Sequence, residues 1–327
     1  MIIGELIRLL SDGKFHSGEQ LGDSLGVSRT AVWKQLKKLE AMNIPLEAVK
    51  GLGYRLPEPL ELLSGPTIVA GIERESRQHL ARLFIEQTLP STNLFVRERF
   101  LKGAGHAEVC LAENQSAGRG RRGRGWACPW GHGLLLSIGW RFETGTAALE
   151  GLSLAVGVAM AEVLERHGLP VVLKWPNDIL VSDALGKNQK LAGILLEVSG
   201  DAAGPCEVVA GLGLNVSLPA SVRSQIDQPV ASVHDYQPTL SRNRLASELV
   251  AALLGLFASF EGQGFAPWRD AWNRRNAHAG KEVLVTQGAR QYTAKVTEAD
   301  AAGNLLIETS DGPDRLTGGE ISLRGQP

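Results

Sequence analysis

Cysteine is scarce in this chain. Only Cys110, Cys128 and Cys206 occur, an odd number at wide spacing, which excludes a disulfide framework. Net charge is nearly absent too: 34 basic side chains face 35 acidic ones, for a formal charge of −1. A chain so balanced is no bulk nucleic-acid coat, so any contact with DNA has to come from a local patch. No apolar run approaches the roughly 20 residues that a membrane span needs. The opening stretch, Met1-Ile2-Ile3-Gly4-Glu5-Leu6, is too short and too soon interrupted by an acid to read as a signal peptide. The expectation is a soluble, cytoplasmic protein with no membrane partner. Internal repeats and low-complexity tracts are missing as well. What is plentiful is apolar content, 43% of 327 residues, enough for two or three domains with buried cores.

The first sixty residues read as helices followed by a hairpin. Gly4 to Leu10 is an apolar-rich helix. Ser17 is placed to cap a second, and Gly26-Val27-Ser28 turns into a third that Ser28 caps and that runs to about Met42. Val32, Leu36 and Leu39 share one face of the third helix, which leaves Arg29, Thr30, Lys34, Lys37 and Lys38 on the other. Val49 to Leu56, hinged by Gly51 and Gly53, fits a small hairpin, and Pro57 and Pro59 stiffen its exit. A first domain is therefore expected over 1–62. A middle block, 63–275, mixes strands (Ala107 to Leu111, Leu134 to Trp140, Val171 to Trp175, Leu191 to Val198, Val208 to Val216) with helices (Leu152 to His167, Arg242 to Glu261). From 276 to 327, short alternating runs at Glu282 to Thr286, Tyr292 to Val296, Leu305 to Glu308 and Ile321 to Leu323 are split by turns at Gly303-Asn304 and Asp311-Gly312, the composition of a small β-barrel. The expected fold class is α+β.

The densest chemistry lies in Gly118-Arg119-Gly120-Arg121-Arg122-Gly123-Arg124-Gly125-Trp126. Glycines let a backbone approach a ligand and line an anion nest with N–H groups. Arginines bring forked donors suited to phosphate, and Trp126 offers a flat face for a base. A disordered RGG-like tail has similar composition, but this run sits between two expected strands inside a globular block. No Gly-Lys-Ser/Thr ending follows, so it is not a P-loop. Lys174-Trp175-Pro176-Asn177-Asp178 ends a strand and turns. Its Asn-Asp pair suits a magnesium-bound triphosphate, although Pro-Asn-Asp is also ordinary turn chemistry. Lys190 precedes a buried strand, where a lysine usually snorkels to solvent. Gly211-Leu212-Gly213-Leu214-Asn215 lacks the third glycine of a dinucleotide fingerprint; glycine inside a strand suggests a ligand against the backbone. Ser91-Thr92-Asn93 opens a helix, as an N-cap or as a hydroxyl pair for a ligand. Cys128 with His132, and His106 with Cys110, sit four apart but lack the further partners a zinc site needs, so no metal site is expected of them.

Together these segments resemble the biotin protein ligase family, in particular its bifunctional bacterial members. The family's GRGRxGRxW loop is similar to Gly118 to Trp126. Its KWPND, KLAGIL and GxGxN segments are similar to Lys174 to Asp178, Lys190 to Leu195 and Gly211 to Asn215, and the ending Gly318 to Leu323 resembles the close of its small barrel. The resemblance implies a winged helix-turn-helix, a central mixed-sheet domain and a C-terminal β-barrel. It implies that biotin and Mg·ATP form biotinyl-5′-AMP, and that biotin then passes to a lysine of the biotin carboxyl carrier protein of acetyl-CoA carboxylase. Ser91, Thr92, Asn93 and Gln115 are implied at the ureido ring, Gly118, Arg119, Gly120, Gly211 and Gly213 around biotin, and Arg121, Arg122, Arg124, Asn177, Asp178 and Asn215 at the nucleotide with Trp126 on the adenine. Lys190, aided by Arg121, is implied as catalytic between carboxylate and α-phosphate. Gly125 departs from the pattern, since a lysine often stands there. Ser28, Arg29, Thr30, Lys34 and Lys37 are implied to meet operator DNA, read as a homodimer when the adenylate is bound. The rival readings are a lipoate or octanoate ligase of the same superfamily, a biotin-sensing repressor without enzymatic activity, and a first domain that only packs on the rest.

Overall fold

The computed structural model describes residues 2–42, 44–183, 186–318 and 321–325. Gly319 and Glu320, in the C-terminal segment that carries the family resemblance, lie outside the described residues. The chain opens with α1 (Ile2–Leu10), α2 (Gly18–Leu25), α3 (Arg29–Ala41) and a hairpin of β1 (Glu47–Val49) and β2 (Gly53–Arg55). Local chemistry sets the boundaries. Ser17 and Gln20 form a reciprocal capping box at the start of α2, and Gly26 closes that helix in the left-handed region at φ 65°. The Ser28 hydroxyl caps α3 by accepting from the Ala31 N–H at 3.2 Å. An added bridge between His16 and Tyr54 ties the hairpin back to the entrance of α2. Leu6, Ile7, Leu10, Leu21, Val32, Leu36 and Leu39 form the buried core of this unit. One side chain from far along the chain joins it: Trp130, 5% exposed.

The central block contains α4 (Gly65–Gly71), α5 (Arg74–Arg77), β3 (Arg82–Glu86), α6 (Thr92–Leu101), β4 (Glu108–Ala112), β5 (Gly133–Phe142), α7 (Leu152–Arg166), β6 (Val171–Lys174), β7 (Asp178–Ser182), β8 (Asn188–Gly200), β9 (Cys206–Asn215), α8 (Ala220–Arg223), α9 (Arg242–Gln263) and α10 (Ala266–Arg274). Its seven strands pair in the order β3-β4-β5-β9-β8-β7-β6, with only β3 and β4 parallel. Alternation splits the side chains of each strand between two faces. Val109 and Leu111 of β4, with Val208, Ala210, Leu212 and Leu214 of β9, turn to the main core. Cys110, Ala112 and Val209 turn the other way and meet Val96 and Phe100 of α6. The second face is thus covered by α6 only in part, and the functional cavity lies beyond the N-terminus of that helix.

The stretches Thr146–Arg166 and Arg242–Gln263 are long and apolar enough to cross a bilayer by length and composition. This corrects the expectation that no segment approaches that length. Of their most apolar windows, 67% and 56% are buried against the rest of the protein, so their apolar faces have an internal partner. The C-terminal strands β10 (Glu282–Gln287), β11 (Arg290–Ala299), β12 (Leu305–Thr309), β13 (Gly312–Leu316) and β14 (Ile321–Gly325) pair antiparallel in the order β13-β12-β11-β10-β14. Among the described residues no ladder joins the two outer strands. Val283, Val285, Val296 and Ile307 share the main core with α7 and α9. The Trp175 indole N–H donates to the Gly303 carbonyl at 3.1 Å, fastening the end of β6 to the turn before β12.

Candidate active site and winged-helix surface

A cavity of about 670 Å³ opens on the second face of the sheet, within the range of small-molecule sites. Of the residues singled out by sequence, Ser91, Thr92, Asn93, Gln115, Arg119, Gly120, Arg121, Arg122, Arg124, Trp126, Asn177, Asp178, Lys190, Gly211 and Gly213 line it together. Thr92 and Asn93 open α6 and are buried against the sheet. Ser91 stands at the N-cap position but makes no capping bond. The Thr92 N–H and hydroxyl both donate to Gln115 Oε1, at 2.6 and 3.0 Å. Ser137, fully buried on β5, lies 2.7 Å from the Thr92 hydroxyl and 2.6 Å from Asn93 Oδ1. Asn93 Nδ2 donates to Glu197 at 2.8 Å, and Arg119 lies 3.9 Å from the same carboxylate. One polar network therefore holds the floor of the cavity.

The Gly/Arg segment folds back on itself as a small closed loop. Trp126 N–H donates to the Gly118 carbonyl at 2.9 Å, Gly120 N–H to the Arg124 carbonyl at 2.7 Å, and a bridge joins Arg119 with Gly125. Arg122 takes φ 60°, a conformation that costs a non-glycine residue energy and marks a tight constraint. Arg121 reaches across to donate to Asn177 Oδ1 at 3.2 Å, while Asn177 Nδ2 donates to the Ile194 carbonyl at 2.8 Å. Burial lowers the pKa of Arg121, opposed by the nearby Asp178 charge. Lys190 lies inside β8 rather than ahead of it, and its ammonium pairs with Asp178 at 2.7 Å.

Gly211 and Gly213 border the cavity, and protein groups also stand close to them. A Cβ on Gly211 would stand 2.1 Å from Asn93 Oδ1, and one on Gly213 would stand 2.4 Å from the Trp126 indole. The indole lies against the strand with Lys190 5.6 Å from its ring centroid. Gly118 and Asn215 do not line the cavity. Gly118 closes the base of the loop, and the buried Asn215 donates its amide to the Ala231 carbonyl at 3.1 Å. Asn215 therefore fixes the chain that returns after β9.

Sequence reading missed Ser137, Glu197 and His278. His278, from the segment before β10, lines the cavity at 7% exposure, and its Nδ1 is enclosed without a partner. Burial, with Lys174 and Lys281 nearby, pushes its pKa down to about 4. Lone serine, glutamate and histidine residues outside any motif carry no local signal, so only the fold reveals them. His132 is otherwise engaged, 2.7 Å from the Ser217 hydroxyl. Its pKa is also pushed down to about 4, first by burial and then by Arg242.

On the first domain Ser28, Arg29, Thr30, Lys34 and Lys37 are all exposed. Ser28 spends its hydroxyl on the helix cap, and Lys37 pairs with Glu40 at 2.7 Å. The domain meets the cavity-bearing block through several contacts, Glu61 on the start of α9 among them. Trp130, four residues beyond Trp126, enters its core, and Gly4 of α1 packs against Gln87. Behind Trp130, Glu113 holds the Leu63 N–H at 2.6 Å and the buried Arg242 at 2.8 Å.

Comparison with known proteins bears on all three parts of the chain. Residues 5–55 match an HTH domain, 84–215 the biotin/lipoate A/B protein ligase family, and 278–324 the biotin protein ligase C-terminal domain. The chain is 38% identical to the bifunctional ligase/repressor of Escherichia coli, over 98% of this chain and 96% of that one. It is 30% identical to the biotin–[acetyl-CoA-carboxylase] ligase of Paracoccus denitrificans, over 66% of this chain and 90% of the other. A biotin protein ligase structure from Aquifex aeolicus, in complex with biotin and ATP, shares the fold at TM-score 0.63 and 24% identity, over 76% of this chain and all of that one. With its helix-turn-helix, its ligase domain and its C-terminal domain in that order, the chain belongs to the biotin protein ligase family, among the bifunctional ligase/repressors.

Proposed function

We propose that this protein joins biotin to ATP and transfers it to a lysine of a biotin carboxyl carrier domain of acetyl-CoA carboxylase, and that it also represses transcription as an operator-bound dimer. The observation that carries the ligase reading is the charge around the cavity. Arg119, Arg121, Arg122, Arg124, Lys174 and Lys190 face it, against Asp178 and Asp227. Such a wall suits a carboxylate beside a triphosphate. In the first step an oxygen of the biotin carboxylate bonds to the α-phosphorus, and the bond to the bridging oxygen of pyrophosphate breaks. Lys190 neutralises the two anions and the charge that develops between them, once substrate draws it from Asp178. Arg121, Arg122 and Arg124 hold phosphate oxygens as forked donors. In the second step the neutral amine of the acceptor lysine attacks the acyl carbon, AMP leaves with the oxygen of the anhydride, and the amine's extra proton passes to solvent.

Magnesium enters with the triphosphate. It prefers few protein carboxylates together with phosphate oxygens, and Asp178 supplies one carboxylate on the cavity wall. Asn177 and Asp178 are the residues we assign to it. Ser91, Thr92, Asn93 and Gln115 are assigned to the ureido ring, Gly118 and Gly120 to the loop that closes over biotin, and Trp126 to the adenine side. Domain limits of 1–62, 63–275 and 276–327, and action in the cytoplasm, complete the reading. ATP–pyrophosphate exchange with biotin and with lipoate in parallel tests it. Exchange that depends on biotin alone supports it, and exchange with lipoate alone replaces it by the lipoate-ligase reading.

A further inference from the structure

The outward stripe of α3 has an indole at its centre. Val32, Leu36 and Leu39 face the core, so Arg29, Thr30, Trp33, Lys34 and Lys37 fall on the solvent side. Trp33 is 51% exposed, one turn from Arg29 and one turn from Lys37. The cations there are partly spent. Lys37 pairs with Glu40 and rests 6.0 Å from the Trp33 ring, and the stem of Arg29 leans on Gly18, where a Cβ would come within 3.3 Å. Trp33 also shares a hollow of about 400 Å³ with Arg29, Thr30 and Tyr54, which brings the hairpin beside it. Of the six exposed large apolar side chains among the described residues, Trp33 on α3 and Val49 and Leu52 on the hairpin are three. Single exposed apolar residues are ordinary, but these three lie on one domain among exposed cations.

We infer that Trp33 reads base identity in the major groove by packing against the 5-methyl group of thymine, while the cations around it meet phosphates. The inference rests on the DNA-binding function proposed above. Charge complementarity selects the occupant at α3: it exposes Arg29, Lys34, Lys37 and Lys38 with Glu40, the partner of Lys37, as its one acid, and a duplex presents phosphates on both sides of a groove that admits one helix. Apolar contact with the thymine methyl is an established mode of major-groove readout. The indole is the one large apolar group on the exposed stripe of α3.

The test uses the full-length protein with biotin and Mg·ATP. A randomised pool of DNA duplexes is selected by binding, first with wild type and then with Trp33→Ala. The enriched duplex is then remade with each thymine in turn replaced by uracil, which removes only the methyl group. Wild type should enrich a thymine at a fixed position and bind about tenfold more weakly when that base becomes uracil, a loss of the size of one base contact. Trp33→Ala should lose the preference there and show no further loss with uracil, while Trp33→Phe should keep part of it. Thermal melting verifies that the variants fold; should Trp33→Ala fail to fold, Trp33→Phe and the uracil series on wild type carry the test. The inference is overturned if Trp33→Ala keeps the same preference and the same uracil penalty, including the case in which it alters only self-association and the indole proves a protein contact. Failure of wild type to enrich any sequence would overturn the repressor reading and this inference with it.

Discussion

Lys190 is held in β8 with its ammonium against Asp178, and substrate anions must compete for it. Lys190→Ala removes a preorganised charge from the transfer step and should slow pyrophosphate release by about 10²–10³. A variant with near-normal release would remove Lys190 from its assigned role. Two buried histidines lead to a different prediction. His278 and His132 are both pushed down to about 4 from an ordinary value of 6.5. The unfolded chain therefore takes up protons below about pH 6.5, while the folded one resists until about pH 4. Stability is fully present above pH 6.5 and is lost as pH falls through that window, by up to about 3 kcal/mol per histidine. Thermal melting from pH 7 to 4 should show the decline, and His278→Gln should flatten it. An equally steep decline in that variant would dissociate His278 from the effect.

At the scale of elements, the Gly118–Trp126 loop is closed by few bonds and carries an exposed, strained Arg122. Limited trypsin digestion should cut between Arg119 and Arg124 in the free protein and slow markedly when biotin is added. Equal cutting in both states would contradict ligand-ordered closure. This loop was readable from sequence because glycine and arginine alternate in it without any apolar period. Both early helices were readable from Ser17 and Ser28, whose caps are local chemistry. β13 was not, because Gly-Pro-Asp-Arg-Leu has no apolar alternation and becomes a strand only by pairing with β12 at the sheet's edge, where proline is tolerated. The KWPND segment reads as a strand end and a turn, and Lys174 does end β6 while Asp178 starts β7 across a hairpin turn. Ser137 and Glu197 come beside Thr92 and Asn93 through strand register, which no local pattern encodes.

Taken whole, the molecule joins its DNA-binding unit to the cavity through several contacts. Trp130 lies in the core of the first unit four residues from Trp126, and Glu61 holds the start of α9 through Ser241, Arg242 and Asn243. Deleting 1–62 strips the cover from Trp130 and removes Glu61. The truncated protein should lose operator binding in gel shifts and still transfer biotin, but with weaker retention of the adenylate. Trp130→Ala in the full-length chain should reproduce the weaker retention. Unchanged retention in both would mean that the contact carries no coupling between the two units.

The central claim is that the cationic cavity makes an activated biotin and delivers it to a protein amine. The protein is incubated with biotin, Mg·ATP and a carrier domain bearing the acceptor lysine, and the carrier is weighed by mass spectrometry. The account predicts a gain equal to one biotin less one water, dependent on ATP and absent when the acceptor lysine is replaced. A carrier of unchanged mass, with the protein folded and biotin bound, would contradict it and leave a biotin-sensing DNA-binding protein in place of a ligase.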